Sequence, residues 1–359
     1  MTFRYGVIGT GMMGVEHIMN INRIDGAEVT AYADPFEGSR TAAASLVPDA
    51  VGFSDHRELI SSGLCDAVVV ATPNHTHKEV LLDVLATDLH VLVEKPLCTT
   101  VEDCVAVIEA AGRRQAVTWV GLEYRYMPPV ARLIDEVRRG TVGRIRMVAI
   151  REHRFPFLVK VGDWNRFNRN TGGTLVEKCC HFFDLMCEIA GSRPSRLVAS
   201  GAQDVNHLDE SYDGEVPDIL DNAYVIVEFE DGVRGMLDLC MFAEATKNQE
   251  EVVAVGDRGK LEASLPDHVF KVGLRGTHFV GSVIEEVVHD PRIRYQGHHH
   301  GSSYLEHLDF MAACQTGTPP KVPLVSGLVS VAMGVAAHRS IEERRWVEMS
   351  EVLPSGLSL

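Results

Sequence analysis

Phe3-Arg4-Tyr5-Gly6-Val7-Ile8-Gly9-Thr10-Gly11-Met12-Met13-Gly14 begins as a short β run, turns on glycine and leads into a helical segment reaching about Ile24. The turn reads G-x-G-x-x-G, with a strand before it and a helix after it. The first glycine makes a tight turn and the second lets a pyrophosphate approach the backbone. The third lets helix and strand pack closely, and the helix N-terminus offers unpaired N–H donors to phosphate. Glu28-Val29-Thr30-Ala31-Tyr32-Ala33-Asp34 supplies a second strand ending in an acid twenty residues beyond Gly14. A carboxylate there accepts the adenosine ribose hydroxyls and repels a 2′-phosphate, which favours NAD. Asp34 also opens an Asp34-Pro35 turn, and Arg40 lies within reach of a 2′-phosphate, so NADP stays open.

The alternation continues outward. Ala67–Ala71 is an apolar strand ending at Thr72-Pro73-Asn74-His75-Thr76-His77, with a helix over Lys78–Ala86. Leu89–Val93 ends at Glu94-Lys95-Pro96, followed by a helix over about Val101–Arg113 and a strand at Val117–Val120. Strands alternating with helices at this spacing predict a doubly wound parallel sheet of the Rossmann type, with ligands beyond the carboxyl ends of its strands. Three loops therefore converge on one crevice. Cofactor contacts are expected from Gly9, Thr10, Gly11, Met12 and Met13 in the first, and from Asp34. Thr72, Pro73, Asn74 and His77 belong to the second, Glu94 and Lys95 to the third. His75-x-His77 without nearby Cys or acidic ligands is a poor metal site, and the pair is read as capping the next helix or lining the cofactor. Lys95 is held in position by the strand before it and Pro96 after it.

Glu123-Tyr124-Arg125-Tyr126-Met127-Pro128-Pro129 breaks the pattern and divides the chain into 1–123, the dinucleotide-binding domain, and 124–359, a substrate and oligomerisation domain. In the second part, period-2 segments at Arg146–Ile150, Ser195–Gly201, Asn222–Phe229, Val233–Leu239, Val252–Val255, Lys260–Ala263 and Val269–Val272 alternate with turns such as Glu230-Asp231-Gly232. This predicts an α+β domain: helices on one face of a large, open, mainly antiparallel sheet. The other face needs a cover, which points to a second subunit.

Composition bounds the partners. The 359 residues carry a formal charge of −16, which opposes a phosphate-backbone partner, so no nucleic acid is expected. No apolar run is expected to approach the ~20 residues a membrane span requires, no signal peptide is read before the first strand, and eight scattered cysteines lack a C-x-x-C pair. The expectation is a cytoplasmic protein without disulfides. His298-His299-His300 is internal and is read as loop, with one or two residues near a ligand.

One further stretch carries chemistry. In Thr171-Gly172-Gly173-Thr174-Leu175-Val176-Glu177-Lys178-Cys179-Cys180-His181-Phe182-Phe183-Asp184, helical spacing puts Glu177, His181, Asp184 and Glu188 on one strip of an otherwise apolar helix. Buried ionisable groups need a partner or a cavity. Thr174-x-x-Glu177 is also a capping box, in which Glu177 would only satisfy the first N–H of the helix. Asp184 reads as a structural acceptor, Glu188 as solvated, and both cysteines as packing. A metal held by Glu177, His181 and Asp184 would be short of ligands, and none is expected.

The glycine loop, Asp34, Glu94-Lys95-Pro96, Tyr124-Arg125-Tyr126 and the Gly-Gly…His…Asp helix, in this order, resemble the Gfo/Idh/MocA (glucose–fructose oxidoreductase, inositol dehydrogenase) family. The resemblance covers essentially the whole chain. It implies oxidation of a hydroxyl of a sugar, glycoside or cyclitol with NAD or NADP, and dimers or tetramers formed through the open sheet. Lys95 resembles the family's catalytic lysine, His181 its histidine, and Glu177 stands at its acid position. Arg125 and His153 fall where members touch substrate; Trp164, Arg166 and Lys178 add donors and a stacking face. Glu-Lys-Cys-Cys-His replaces the more usual Asp-x-Gly-x-His. The mechanism so implied has His181 as base, Lys95 polarising the substrate oxygen, and Glu177 orienting the imidazole or binding a neighbouring hydroxyl. Two other readings stay open: a hydrolase or lyase that uses tightly held NAD transiently, and a non-catalytic NAD or sugar sensor.

Overall fold

The computed structural model describes residues 2–112, 114–276 and 279–354, so the helix end expected at Arg113 lies outside the described residues. The first part runs β1 (Phe3–Ile8), α1 (Met12–Ile21), β2 (Ala27–Ala33), α2 (Glu37–Leu46), β3 (Val51–Phe53), α3 (His56–Ser61), β4 (Ala67–Val70), α4 (His77–Leu85), β5 (His90–Glu94), α5 (Val101–Ala111) and β6 (Thr118–Gly121). The strands pair in parallel in the order 3-2-1-4-5-6, the order of dinucleotide-binding sheets. β4 is buried along its whole length, as a strand covered on both faces must be. β3 is mostly exposed and only three residues long, so it carries no alternation to read.

The second part holds α6 (Pro128–Arg138), β7 (Ile145–His153), α7 (Asn168–Thr171), α8 (Thr174–Glu177), α9 (Cys180–Ala190), β8 (Pro194–Ala202), β9 (Asn222–Phe229), β10 (Arg234–Cys240), β11 (Glu250–Gly256), β12 (Gly259–Leu265), β13 (Val269–Leu274), β14 (Ile284–Val287), α10 (Ser302–Thr316), α11 (Leu324–Glu343) and β15 (Val347–Glu348). Nine strands form one sheet in the order 14-13-12-11-7-10-9-8-15. The pairing is antiparallel throughout except between the central strands β7 and β10. Alternation along β9 buries Ala223, Val225 and Val227 against the helices and leaves Tyr224 and Ile226 exposed on the other face.

Two helices tie the halves together. α10 returns to the first sheet, where Glu306 accepts a hydrogen bond from the Trp119 indole and Phe310 packs near Tyr5. α11 is twenty residues long and apolar enough to cross a membrane, contrary to the expectation that no run reaches that length. Its apolar window is 67 % buried inside the protein, so it is a core helix.

Candidate active site

The glycine loop has the geometry its sequence requires. Gly9 has φ +87°, and a Cβ there would lie 2.6 Å from the carbonyl oxygen of Ala71. A Cβ on Gly14 would lie 1.9 Å from the Gly9 oxygen, whereas a Cβ on Gly11 would meet nothing within 4 Å. The open side of Gly11 and the N-terminus of α1, which no side chain caps, suit a pyrophosphate. Asp34 Oδ2 accepts hydrogen bonds from the Thr10 N–H at 2.8 Å and the Thr10 hydroxyl at 3.3 Å, which ties the loop to the end of β2. Arg40 Nη1 donates to the carbonyl oxygens of Asp34 and Pro35. Asp34 Oδ1 accepts from the Phe36 N–H at 2.9 Å. The open cradle and the N–H donors at the start of α1 fit NAD, with Asp34 at the end of β2.

In the second loop, Asn74 is buried and its Nδ2 has no partner in the chain. His77 is fully buried, with Nδ1 2.9 Å from the Pro96 oxygen and Nε2 3.0 Å from the Thr72 oxygen. Burial lowers the ring's pKa, and a neutral imidazole has one N–H to donate, so His77 bonds one of these oxygens and packs against the other where the second loop meets the third. His77 holds the crevice in shape; it does not line it.

The third loop brings the charge. Glu94 Oε1 lies 2.9 Å from His17 Nε2, and Oε2 accepts from the Lys95 N–H. Burial opposes its ionisation, but the hydrogen bond to His17, with Lys95 beside it, holds its pKa down at about 2. His17 Nδ1 continues to His307 on α10 at 2.8 Å. Lys95 Nζ donates to the backbone oxygen of Glu177 at 3.1 Å. Burial opposes the Lys95 charge, yet Cys180, Glu177 and Glu94 more than offset it, so the lysine stays a cation.

The expected continuous helix is broken, and the break makes the site. α8 ends at Glu177 and α9 starts at Cys180. The Thr174 oxygen accepts from the N–H groups of both Lys178 and Cys179, so the turn holds an extra residue. The Glu177 oxygen is left to accept from Lys95 Nζ and from Cys180 Sγ. No capping box forms: Gly173 is the N-cap, the Thr174 hydroxyl donates to Leu220, and the Leu175 N–H finds His338 Nε2 at 3.2 Å. The Glu177 carboxylate is instead buried, with Oε2 unpartnered; burial raises its pKa against the pull of Lys95, Lys160 and Lys178.

His181 is 1 % exposed and stacked on Tyr124, ring centroids 3.9 Å apart at 7°. Burial, reinforced by Lys95 and Lys178, pushes its pKa well below the usual imidazole value, so the ring is neutral. Its Nδ1 has no partner, and Nε2 stands 3.8 Å from Glu123 Oε1.

Several expected substrate contacts prove otherwise engaged. Arg125 pairs with Asp184 at 2.5 and 2.6 Å and with Glu188 at 2.8 Å, so its guanidinium braces α9 and the far end of the polar strip is closed. Glu188, expected in solvent, is ion-paired to Arg125 and Arg138, and Asp184 is the structural acceptor foreseen. His153 lies on the open face of β7, bonded to Asp238 at 3.1 Å on that face of β10. Period-2 alternation sends its neighbour Glu152, fully buried, to the helix-covered side. There Glu152 pairs with Lys178 Nζ at 2.9 Å, and Lys178 also donates to the Tyr124 hydroxyl at 2.6 Å. Arg166 is buried against Glu210 at 3.0 Å, and Trp164 meets His75 across the crevice rim at 6.3 Å. Among the described residues no three His, Cys, Asp or Glu side chains are grouped to hold a metal.

Sequence reasoning missed Glu123, read only as a boundary, along with His17 and Glu152. Of the histidine tract, His299 reaches the site, with Nδ1 3.6 Å from Glu123.

Comparison with known proteins fits this arrangement. Residues 3–122 match the NAD-binding Rossmann domain of the Gfo/Idh/MocA oxidoreductases, and residues 134–349 match the C-terminal alpha/beta domain of the same proteins. The chain belongs to this oxidoreductase family. A Gfo/Idh/MocA relative from Thermotoga maritima, a myo-inositol 2-dehydrogenase, is 28 % identical over 358 residues, covering 98 % of this chain and 99 % of its own. An Escherichia coli relative, 2,7-anhydro-N-acetylneuraminate hydratase, is 25 % identical over 80 % of this chain and 75 % of its own. The crystal structure of a probable dehydrogenase from Thermotoga maritima superimposes with a TM-score of 0.80 at 25 % identity, covering 98 % of this chain and 100 % of that one. The protein is thus an NAD-binding oxidoreductase, similar to inositol dehydrogenases.

Proposed function

We propose that the protein is a dehydrogenase that oxidises a secondary hydroxyl of a sugar, glycoside or cyclitol with NAD, or reduces the corresponding ketone. The observation that carries this reading is a convergence of unpaired polar atoms. Glu123 Oε1 and Oε2, Glu177 Oε2, His181 Nδ1 and His299 Nδ1 are all buried and have no hydrogen-bond partner in the chain. Buried polar groups are satisfied in native proteins, and a ligand with several hydroxyls satisfies donors and acceptors at once.

When bound, the cofactor supplies the hydride acceptor. The chain's own part is proton handling and charge. Neutral His181 takes the hydroxyl proton at its free nitrogen. Cationic Lys95, anchored on the Glu177 oxygen, donates to the substrate oxygen as charge develops there. Glu177 accepts from a neighbouring hydroxyl. A cytoplasmic setting and a homodimer or homotetramer paired through the open sheet belong to the same reading.

The hydratase relative favours one second reading, transient oxidation by NAD that is never released as NADH. Absorbance of reduced nicotinamide separates the two: with myo-inositol and a panel of sugars, net NADH accumulation is expected. Lys95→Ala should lower kcat by about 10²-fold or more, and His181→Ala by a similar factor. Full turnover in both variants would refute the mechanism.

A further inference from the structure

Glu123 follows β6 in a 3-10 turn, is 2 % exposed, and has no donor at either carboxylate oxygen. Its Oε1 lies 3.8 Å from His181 Nε2 and 3.6 Å from His299 Nδ1. His181 is held flat against Tyr124, the residue next to Glu123, and its remaining nitrogen is unpartnered. A carboxylate at one imidazole nitrogen with a free nitrogen opposite is the arrangement in which an acid selects the tautomer and stabilises the imidazolium that forms. Such contacts are commonly long without substrate and tighten in the complex. We propose that Glu123, rather than Glu177, is the positioning acid of His181: ionised, it accepts the Nε2 proton and leaves the Nδ1 lone pair free for the substrate hydroxyl.

The inference rests on the dehydrogenase reading and deepens it. In the oxidative step the substrate O–H bond breaks and an N–H bond forms on Nδ1. The Nε2–H remains, and the Glu123 carboxylate balances the new positive charge. Glu123 is faced by Glu94 and Lys95 from the end of β5, Lys178, Cys180 and His181 from the broken helix, His299 from the loop before α10, and Glu306 from α10. Burial first, then Glu94, pushes its pKa up to about 8. Below that pH, protonated Glu123 donates to Nε2 and fixes the proton on Nδ1, the wrong tautomer for a base. Above it the pair is competent, so oxidation should rise through an inflection near pH 8 that belongs to the pair.

Nitrogen-15 NMR of histidine-labelled protein, without substrate, tests this. The His181 signals are assigned by their loss in His181→Asn. In the unsubstituted protein they should shift through an inflection near pH 8. Glu123→Gln should abolish it and Glu123→Asp should retain it. In myo-inositol oxidation with NAD, Glu123→Gln should lose the alkaline limb and lower kcat by about 10²-fold, with partial rescue by Asp. An unchanged His181 titration and pH–rate profile in Glu123→Gln would overturn the proposal. Absence of polyol oxidation by the unsubstituted protein would instead count against the dehydrogenase reading, while the NMR titration still decides the pair.

Discussion

His338 shows how one side chain supports the site from outside it. Its Nε2 accepts the Leu175 N–H at the start of α8, a task that requires the neutral ring. Burial lowers its pKa from 6.5 to about 4. A folded pKa below the unfolded one means that the unfolded chain binds the proton first as pH falls. The contribution is therefore fully present above pH 6.5 and is lost progressively down to about 4. The ring is partly exposed, so the loss should stay below about 3 kcal/mol. His338→Gln, which keeps an acceptor but does not titrate, should lose less stability between pH 7 and 4.5 than the unsubstituted protein. Urea midpoints at the two pH values read this out, and equal losses would refute it. The fully buried rings of His181 and His307 act in the same direction, since their pKa values also lie well below the usual range.

At the level of elements, the decisive contact is between α8 and α11. A Cβ on Gly334 would lie 2.5 Å from the Leu175 oxygen, and one on Gly173, at φ +88°, would lie 2.3 Å from His338 Nε2. Backbone against backbone, this approach seats α8 so that the Glu177 oxygen meets Lys95. Gly334→Ala would force α8 away. We expect a stability loss of about 1–3 kcal/mol and a larger fractional loss in kcat than in NAD affinity, since the glycine loop is remote from the clash. Kinetics alongside direct NAD titration check this; loss of NAD binding with kcat intact would contradict it. The break between α8 and α9 was invisible in the sequence because no glycine or proline marks it. It follows from an extra residue in one turn and from Lys178 reaching Glu152 and Tyr124.

For the whole molecule, the nine-stranded sheet leaves one face uncovered. Met147 (54 % exposed), Tyr224 (64 %), Ile226 (37 %) and Met236 (39 %) lie on it, with Ile226 opposite Met236 in the β9–β10 register. Under the proposed pairing of copies through this face, Ile226→Arg should shift the assembly toward monomers in analytical ultracentrifugation without unfolding it. An unchanged mass would show that the subunits join elsewhere.

Local sequence was sufficient wherever a backbone period or a steric rule acts over a few residues. The glycine loop, Asp34 at the end of β2, the alternation of strands and helices and the antiparallel run of the second half were all legible for that reason. Lys95, His181 and Glu177 could be singled out as candidates because of the motifs they stand in, and the fold brings the three segments together. Which polar group meets which was not legible, because that depends on segments brought together from distant parts of the chain. A single residue of strand parity put Glu152 inside and His153 outside. Arg125 was spent on Asp184, and Glu177 was released from capping by His338. Glu123, two positions past β6, became the carboxylate facing His181 only when α9 and the 297–301 loop closed over it.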